Sequence, residues 1–320
     1  MRLGPTNPTV RQLEYIVAVA DQGSFQNAAA ACHVTQPGLS AQVRQLEEVL
    51  GVRVFERNRS GVLVTPAGER VLVRARRILS EVKDLVDTAR QLGRPLVGPL
   101  RMGVIPTVAP YVLPAVLPAV RLAFPELQLV LREQQTEPLV SLLEQGSLDV
   151  LLLALEAVGG RTNSPGRSTK PERIAMLPLY EDDFVLATAP NHPLARRKRV
   201  RDADLEGQRL LLLEDGHCLR DQALAVCAMV HVDEAADLRA TSLGTLTQMV
   251  ASDLGITLLP RMSLPVEAAA RAQIATVGFA KPRPHRTIGL AWRTASSRAS
   301  ELTALAKVLQ KAWPTPPIVR

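Results

Sequence analysis

Cysteine is scarce in this chain. There are three, Cys32, Cys218 and Cys227, and no Cys-x-x-Cys pair. The paired spacing of a zinc site is therefore missing, and no metal or other cofactor is expected. A thiol-poor chain is not a disulfide scaffold either, and any disulfide in a reducing compartment reads as a redox device rather than a staple. No apolar run approaches the roughly 20 residues of a spanning helix, so no membrane contact is expected. Residues Met1 to Val10 lack the apolar core of a secretory signal, which points to the cytoplasm and away from an exported solute-binding protein. No internal repeat is visible.

What is present is ordinary in bulk: 47% hydrophobic and 22% charged residues over 320 positions. That length exceeds one hydrophobic core and implies two or three domains. The net charge of +7 suits a polyanionic partner. Part of the excess, however, lies in Arg196, Arg197, Lys198, Arg199 and Arg201, which reads as a solvated loop.

Residues 10–20 carry apolar side chains at helical spacing (Val10, Leu13, Val17, Ala20). Ser24 is placed to cap a second helix from Phe25 to Cys32, and Thr35 a third, with Pro37 in its first turn and Gly51 at its end. Two short alternating segments, Val52 to Phe55 and Val62 to Val64, flank an Asn58–Gly61 turn and predict a wing. A helix over about 66–92 follows, with a heptad seam at Leu72, Ala75, Leu79, Val82, Val86 and Ala89; it fits a dimer contact or an amphipathic helix packed on its own domain. Beyond the Gly93-Arg94-Pro95 and Gly98-Pro99 linker, strands alternate with helices, which predicts mostly parallel α/β layers. The 156–173 segment, rich in Gly, Ser and Pro, reads as a mobile loop. A second α/β unit runs from Ile174 to about Leu264, and Thr276–Ala280, Thr287–Trp292 and a helix over 297–312 return to the first. Two crossings between two lobes predict a hinged cleft.

A helix, a three-residue turn and a second helix form the geometry that seats a recognition helix in the major groove. Ser24, Gln36, Pro37, Ser40, Gln42 and Arg44 lie on or beside that element, and Arg57 and Arg59 on the wing, as candidate contacts to bases, phosphates or minor groove. The runs Leu13-Glu14-Tyr15, Gly23-Ser24-Phe25, Ala28-Ala29, Thr35-Gln36-Pro37-Gly38-Leu39-Ser40, Gln45-Leu46-Glu47, Leu50-Gly51 and Thr65-Pro66-Ala67-Gly68 resemble the LysR-type transcriptional regulators. That resemblance extends over nearly the whole chain. It implies a winged helix-turn-helix at 1–66, a dimerising linker helix and hinge at 67–97, and an α/β effector domain at 98–313. The effector domain would have two lobes, like a periplasmic binding protein, built from 98–170 with 275–313 and from 171–274. It further implies double-stranded promoter DNA, homodimers or homotetramers, and RNA polymerase as partners.

The segment Glu214-Asp215-Gly216-His217-Cys218-Leu219-Arg220-Asp221-Gln222-Ala223-Leu224 follows an apolar strand and opens a helix. Cys218 then lies in a first turn, where exposed amides favour an anion, and His217 and Arg220 stand beside it. These neighbours are expected to lower the thiol pKa and favour the thiolate that peroxide oxidises. Cys227, among Ala, Val and Met, is expected to be buried. Nine residues of intact helix separate two cysteines by roughly 13 Å, beyond the ~7 Å a disulfide allows. A bond between them would require the helix to melt; two unrelated free thiols fit the spacing equally.

The run Asp215 to Ala223, with the second cysteine at matching distance, resembles the peroxide-sensing, OxyR-like members of the family, as do Gly103–Val108, Glu133–Thr136, Arg239–Leu243 and Gly255–Pro260. The likeness implies a non-enzymatic activator of oxidative-stress genes switched by a reversible Cys218–Cys227 disulfide. Cys218 would be peroxidatic and Cys227 resolving, with a peroxide pocket of Thr107, Thr136, His217 and Arg220. A thiol reductant of glutaredoxin or thioredoxin type would reset it. The alternative is a LysR-type regulator with a small anionic effector in the inter-lobe cleft. The 156–173 segment is longer and more basic than the family pattern. Cys32 reads as a packed thiol, and His33 and His192 as structural or surface residues.

Overall fold

A computed structural model describes residues 7–58, 61–90, 96–159, 173–228, 230–268 and 273–314. They form two compact units, one drawn mainly from Met1–Leu92 and the other from Gly93–Arg320. In the first, Thr9 caps α1 (Val10–Gln22) in a reciprocal box with Gln12, and Gly23 ends it at φ 61°. Ser24 caps α2 (Phe25–Ala31) and Thr35 caps α3 (Gln36–Leu50). The turn between them is closed by the Val34 amide donating to Ala29 O. Leu13, Ile16, Val19, Ala28, Leu39, Val43 and Leu46 meet in one core. The three helices thus follow from caps and periodicity already visible in the sequence.

The wing is shifted relative to expectation. Its strands are β1 (Phe55–Asn58) and β2 (Gly61–Val64), paired antiparallel. Val52 to Val54 lie outside the ladder because the amides of Val54 and Phe55 donate to Glu47 Oε1 at 2.7 and 3.1 Å. The carboxylate on α3 thereby fixes where the hairpin begins. The linker helix is α4 (Pro66–Arg90). Leu72 and Ala75, the first two residues of the heptad seam, are buried in the core of their own unit, while Val73, Ile78 and Leu85 are exposed. The proposed linker residues 93–95 lie outside the described residues.

In the second unit, β3 (Gly98–Val104) runs parallel between β4 (Leu127–Glu133) and β5 (Val150–Ala154). Helices α5 (Ala109–Ala123) and α6 (Thr136–Glu144) connect them. Every residue of β5 is buried, as a strand covered on both faces requires. Residues 156–159, expected as loop, form a helical turn, α7 (Glu156–Gly159), held by the Thr287 amide donating to Glu156 Oε1 at 2.7 Å. Residues 160–172 of that expected loop lie outside the described residues.

The long strand β6 (Ile174–Thr188) carries the chain out of the first lobe. Its first part pairs antiparallel with β11 (His285–Arg293), and its last part with β9 (Thr257–Pro260) and β10 (Ala275–Gly278). The return crossing is made by β11; β10, placed by sequence pattern with the first lobe, sits beside the far end of β6. The second lobe adds β7 (Arg209–Leu213), α8 (Cys218–Val226), β8 (Asp233–Ala240), α9 (Leu243–Ala251) and α10 (Leu264–Glu267), with β7 and β8 parallel. Helix α11 (Ala299–Ala312) packs back onto α5 and β6. The architecture is a winged helix-turn-helix followed by a two-lobed α/β domain built on a seven-stranded mixed sheet and a two-stranded parallel sheet of β7 and β8.

Among the described residues no helix is long and apolar enough to cross a membrane. Glu47→Ala removes the acceptor of two charge-assisted hydrogen bonds. It is expected to destabilise the winged unit by about 2–4 kcal/mol, read as a lower urea midpoint for its unfolding; an unchanged midpoint would contradict the anchoring role of Glu47.

Candidate functional site

The end of β7 leads through Gly216, held at φ 92°, to His217, the N-cap of α8, and Cys218 is the first residue of that helix. Its side chain is 9% exposed. Two groups from other parts of the chain reach it. The hydroxyl of Thr136, at the start of α6, and the guanidinium of Arg286 on β11 both act to lower its pKa. The Thr136 oxygen is buried and has no hydrogen-bond partner. Arg286 is fully buried. It donates from Nη1 to Thr107 Oγ1 at 2.9 Å, from Nη2 to Thr107 O at 3.0 Å, and from Nε to Asp182 Oδ2 at 3.0 Å. Thr107 lies in the turn between β3 and α5, so both lobes furnish the site. Gln135 Nε2 donates to Asp215 O at 3.4 Å across the same junction.

The electrostatics differ from the sequence expectation. Burial pushes the Cys218 thiol up from the ordinary 9.0; the Thr136 hydroxyl and the Arg286 charge oppose this and are outweighed. Burial also holds His217 below the ordinary 6.5, so its imidazole is neutral at pH 7. Arg220 stands among carboxylates. Its guanidinium is engaged by Asp215 at 3.1 Å, Asp221 at 3.7 Å and Glu234 Oε1 at 2.7 Å, and Arg239 joins the same Glu234 at 2.6 Å. The cation that faces Cys218 is Arg286, which sequence reasoning missed. Its signal was a charged pair set in apolar strands, Arg286 before Thr-Ile-Gly-Leu and Asp182 before Asp-Phe-Val-Leu; such charges are buried only when paired.

Cys227 caps the C-terminus of α8, is 3% exposed, and burial lifts its thiol to about 11. Both cysteines are free thiols at opposite ends of one helix. Cys32 is also free and partly exposed at the end of α2. Among the described residues no cluster of His, Cys, Asp and Glu could hold a metal ion.

On the winged unit, Gln36, Pro37, Gln42 and Arg44 are exposed along α3. Ser24 is spent on its cap, accepting from the Asn27 amide at 3.4 Å. Ser40 departs from expectation: it is 4% exposed, because its position on α3 adjoins the buried Leu39 and Val43 face. Arg57 stands on β1, and Arg59 lies outside the described residues.

Two outcomes test this geometry. Alkylation of reduced Cys218 by iodoacetamide at neutral pH is expected to be slower than that of an ordinary thiol, and to rise as pH climbs past 9.0, since the folded site keeps the proton; rapid, pH-independent alkylation between pH 6 and 8 (roughly, the range of activated thiolates) would contradict it. Gly216→Ala places a methyl 2.5 Å from Gln135 Oε1 at a φ of 92°. It is expected to cost about 1–3 kcal/mol, read as a lower melting temperature of the effector unit; an unchanged melting temperature would contradict the close approach.

The helix-turn-helix matches the model "Bacterial regulatory helix-turn-helix protein, lysR family" over residues 10–69, and the α/β unit matches "LysR substrate binding domain" over 93–314. The chain is 44% identical over 301 residues to the DNA-binding transcriptional dual regulator OxyR of Escherichia coli strain K12, covering 94% of each. It is 44% identical over 319 residues to a probable hydrogen peroxide-inducible genes activator of Streptomyces viridosporus, covering 99% of this chain and 98% of that one. Among solved structures, a cysteine-to-aspartate variant of full-length OxyR from Pseudomonas aeruginosa superposes with TM-score 0.75 at 32% identity, over 95% of this chain and 98% of that one. A peroxide-bound cysteine-to-serine variant of Corynebacterium glutamicum OxyR gives TM-score 0.61 at 38% identity, over 96% and 94%. With both of its units matched and its full-length relatives of one kind, the chain belongs to the LysR family of bacterial transcription regulators, among the OxyR-like hydrogen peroxide-inducible genes activators.

Proposed function

We propose that the chain is a DNA-binding transcription activator that senses hydrogen peroxide through a reversible Cys218–Cys227 disulfide. The observation that carries this is the convergence on one buried thiol of a hydroxyl (Thr136) and a buried guanidinium (Arg286) that itself holds a second hydroxyl (Thr107). Hydroxyls donate and accept, as a small O–O ligand requires, and the guanidinium only donates. Thr107 takes one of the two Nη1 protons; the other is a donor for the leaving oxygen.

Bound peroxide accepts from these donors, which stabilise the negative charge that develops on its leaving oxygen. The Cys218 sulfur attacks the near oxygen, the O–O bond breaks, and the released hydroxide takes the thiol proton to leave as water. Cys218 becomes a sulfenic acid. The Cys227 thiol then attacks that sulfur, an S–S bond forms, and a second water departs. Ends of a helix roughly 13 Å apart cannot meet within ~7 Å, so this second step unwinds α8 and strips Arg220 from Glu234. A dithiol reductant of glutaredoxin or thioredoxin type reverses it, and the helix reforms.

The refolded segment re-sets the grip of a homo-oligomer on promoter DNA, with Gln36, Pro37, Gln42 and Arg44 of α3 and Arg57 and Arg59 of the wing as DNA contacts, and RNA polymerase as the downstream partner. The exposed Val73, Ile78 and Leu85 of α4 support a subunit contact there. His217 stays in the pocket as a neutral neighbour.

Peptide mapping of thiol-blocked protein before and after a stoichiometric peroxide pulse provides the test. A Cys218–Cys227 cross-link that dithiothreitol reverses is expected, and Cys218→Ser is expected to bind promoter DNA with undiminished affinity while losing all response to peroxide. A peroxide response that survives in Cys218→Ser would sink the thiol switch.

A further inference from the structure

The guanidinium whose charge acts on Cys218 meets a sulfur directly. Arg286 Nη2 donates to Met262 Sδ at 3.5 Å. Met262 is 4% exposed and sits in the short 3-10 turn Arg261–Ser263 that follows β9. Its position is not incidental to the ion pair. Asp182 accepts the Met262 backbone amide on Oδ1 at 3.0 Å and Arg286 Nε on Oδ2 at 3.0 Å. One buried carboxylate therefore holds both the guanidinium and the backbone of the methionine, and fixes the thioether against the cation. A thioether is a weak acceptor, and a buried arginine has stronger partners to choose from; here the sulfur is given to it by the fold.

We propose that Met262 is a second peroxide-reactive sulfur of the Cys218 pocket, oxidised by hydroperoxide to the sulfoxide at doses above those that switch the cysteines, and that the new oxygen captures Arg286 and slows the sensor. The proposal rests on the peroxide-sensing role given above to the same pocket. In the step itself the Met262 sulfur attacks one oxygen of hydrogen peroxide. The O–O bond breaks, an S=O bond forms, and the departing hydroxide takes the proton left on the transferred oxygen to become water. The sulfur loses two electrons and the peroxide gains them. Arg286 lies beside the sulfur, and its positive charge favours the departure of hydroxide.

The product changes the pocket. A sulfoxide oxygen is polar and a far better acceptor than the thioether it replaces. It competes for the donors that otherwise stabilise the anion developing at Cys218, so a strong oxidant dose leaves a record in the site that thiol reduction does not erase.

Two measurements test this on the full chain. In the C218S/C227S variant no cysteine of the switch consumes oxidant, so sulfoxide formation is read independently of any disulfide. After a peroxide series, mass shifts at Met262 are compared with those at Met176, which is 39% exposed. Met262 is expected to oxidise faster than Met176 in the folded protein and at the same rate under guanidinium denaturation. Slower oxidation at Met262 in the folded protein, as burial alone dictates, would overturn the assignment. In the second measurement the intact chain and Met262→Leu receive a strong peroxide dose and then dithiothreitol. The rate of Cys218 oxidation in a second, stoichiometric pulse follows. The intact chain is expected to react about tenfold more slowly than before, the effect of one charge-assisted contact withdrawn, and Met262→Leu to keep its original rate. Equal slowing in both would overturn the capture of Arg286.

Discussion

The buried ion pair between Arg286 and Asp182 is the interaction on which the effector unit depends. Both side chains have no solvent exposure, and their strands, β11 and β6, are the two that pass through both lobes. A pair withdrawn from water brings little net stability, but removing one partner strands a charge and typically costs about 3–5 kcal/mol. The pair is therefore locked once formed. Its guanidinium reaches Thr107 in one lobe and Cys218 at the start of a helix in the other, and its carboxylate reaches the Met262 amide. Asp182 keeps the cation in place, and the cation gives the thiol pocket its positive field.

The site is quiet at rest for the same reason that it is selective. Burial outweighs the helix N-terminus, the hydroxyl and the guanidinium, so Cys218 keeps its proton. A pocket of this kind does not offer a standing thiolate to every electrophile. In the proposed switch it offers donors to a small ligand, and chemistry begins when that ligand binds. Helix α8 supplies the other half of the device. Its ends carry the two thiols, and its outer face is pinned by Arg220 to Glu234 of β8. The pinning is partly exposed and salt-screened, hence weak, which suits the unwinding of α8 that the proposed switch requires.

Much of the fold was legible in the chain. Caps at Ser24 and Thr35, the glycine after α3, and apolar spacing announced the helix-turn-helix, because capping and periodicity are local. The continuous apolar run of β5 announced a buried strand. Where local pattern misled, a distant group had taken over. Val52 to Val54 alternate like a strand but are claimed by Glu47; Ser40 is polar but lies on the packed side of α3.

The sequence by itself determined the kind of protein and the placing of two cysteines along one helix. A helix-turn-helix, alternating α/β elements and two cysteines at the ends of one helix are all matters of order and spacing along the chain. The tertiary structure alone decided the state of the thiol. Arg220, the near cation, is neutralised by three acids, and Arg286, distant in sequence, arrives on a returning strand with its own buried counter-ion. A pKa is set by desolvation and by charges within a few ångströms, and neither is a property of sequence neighbours.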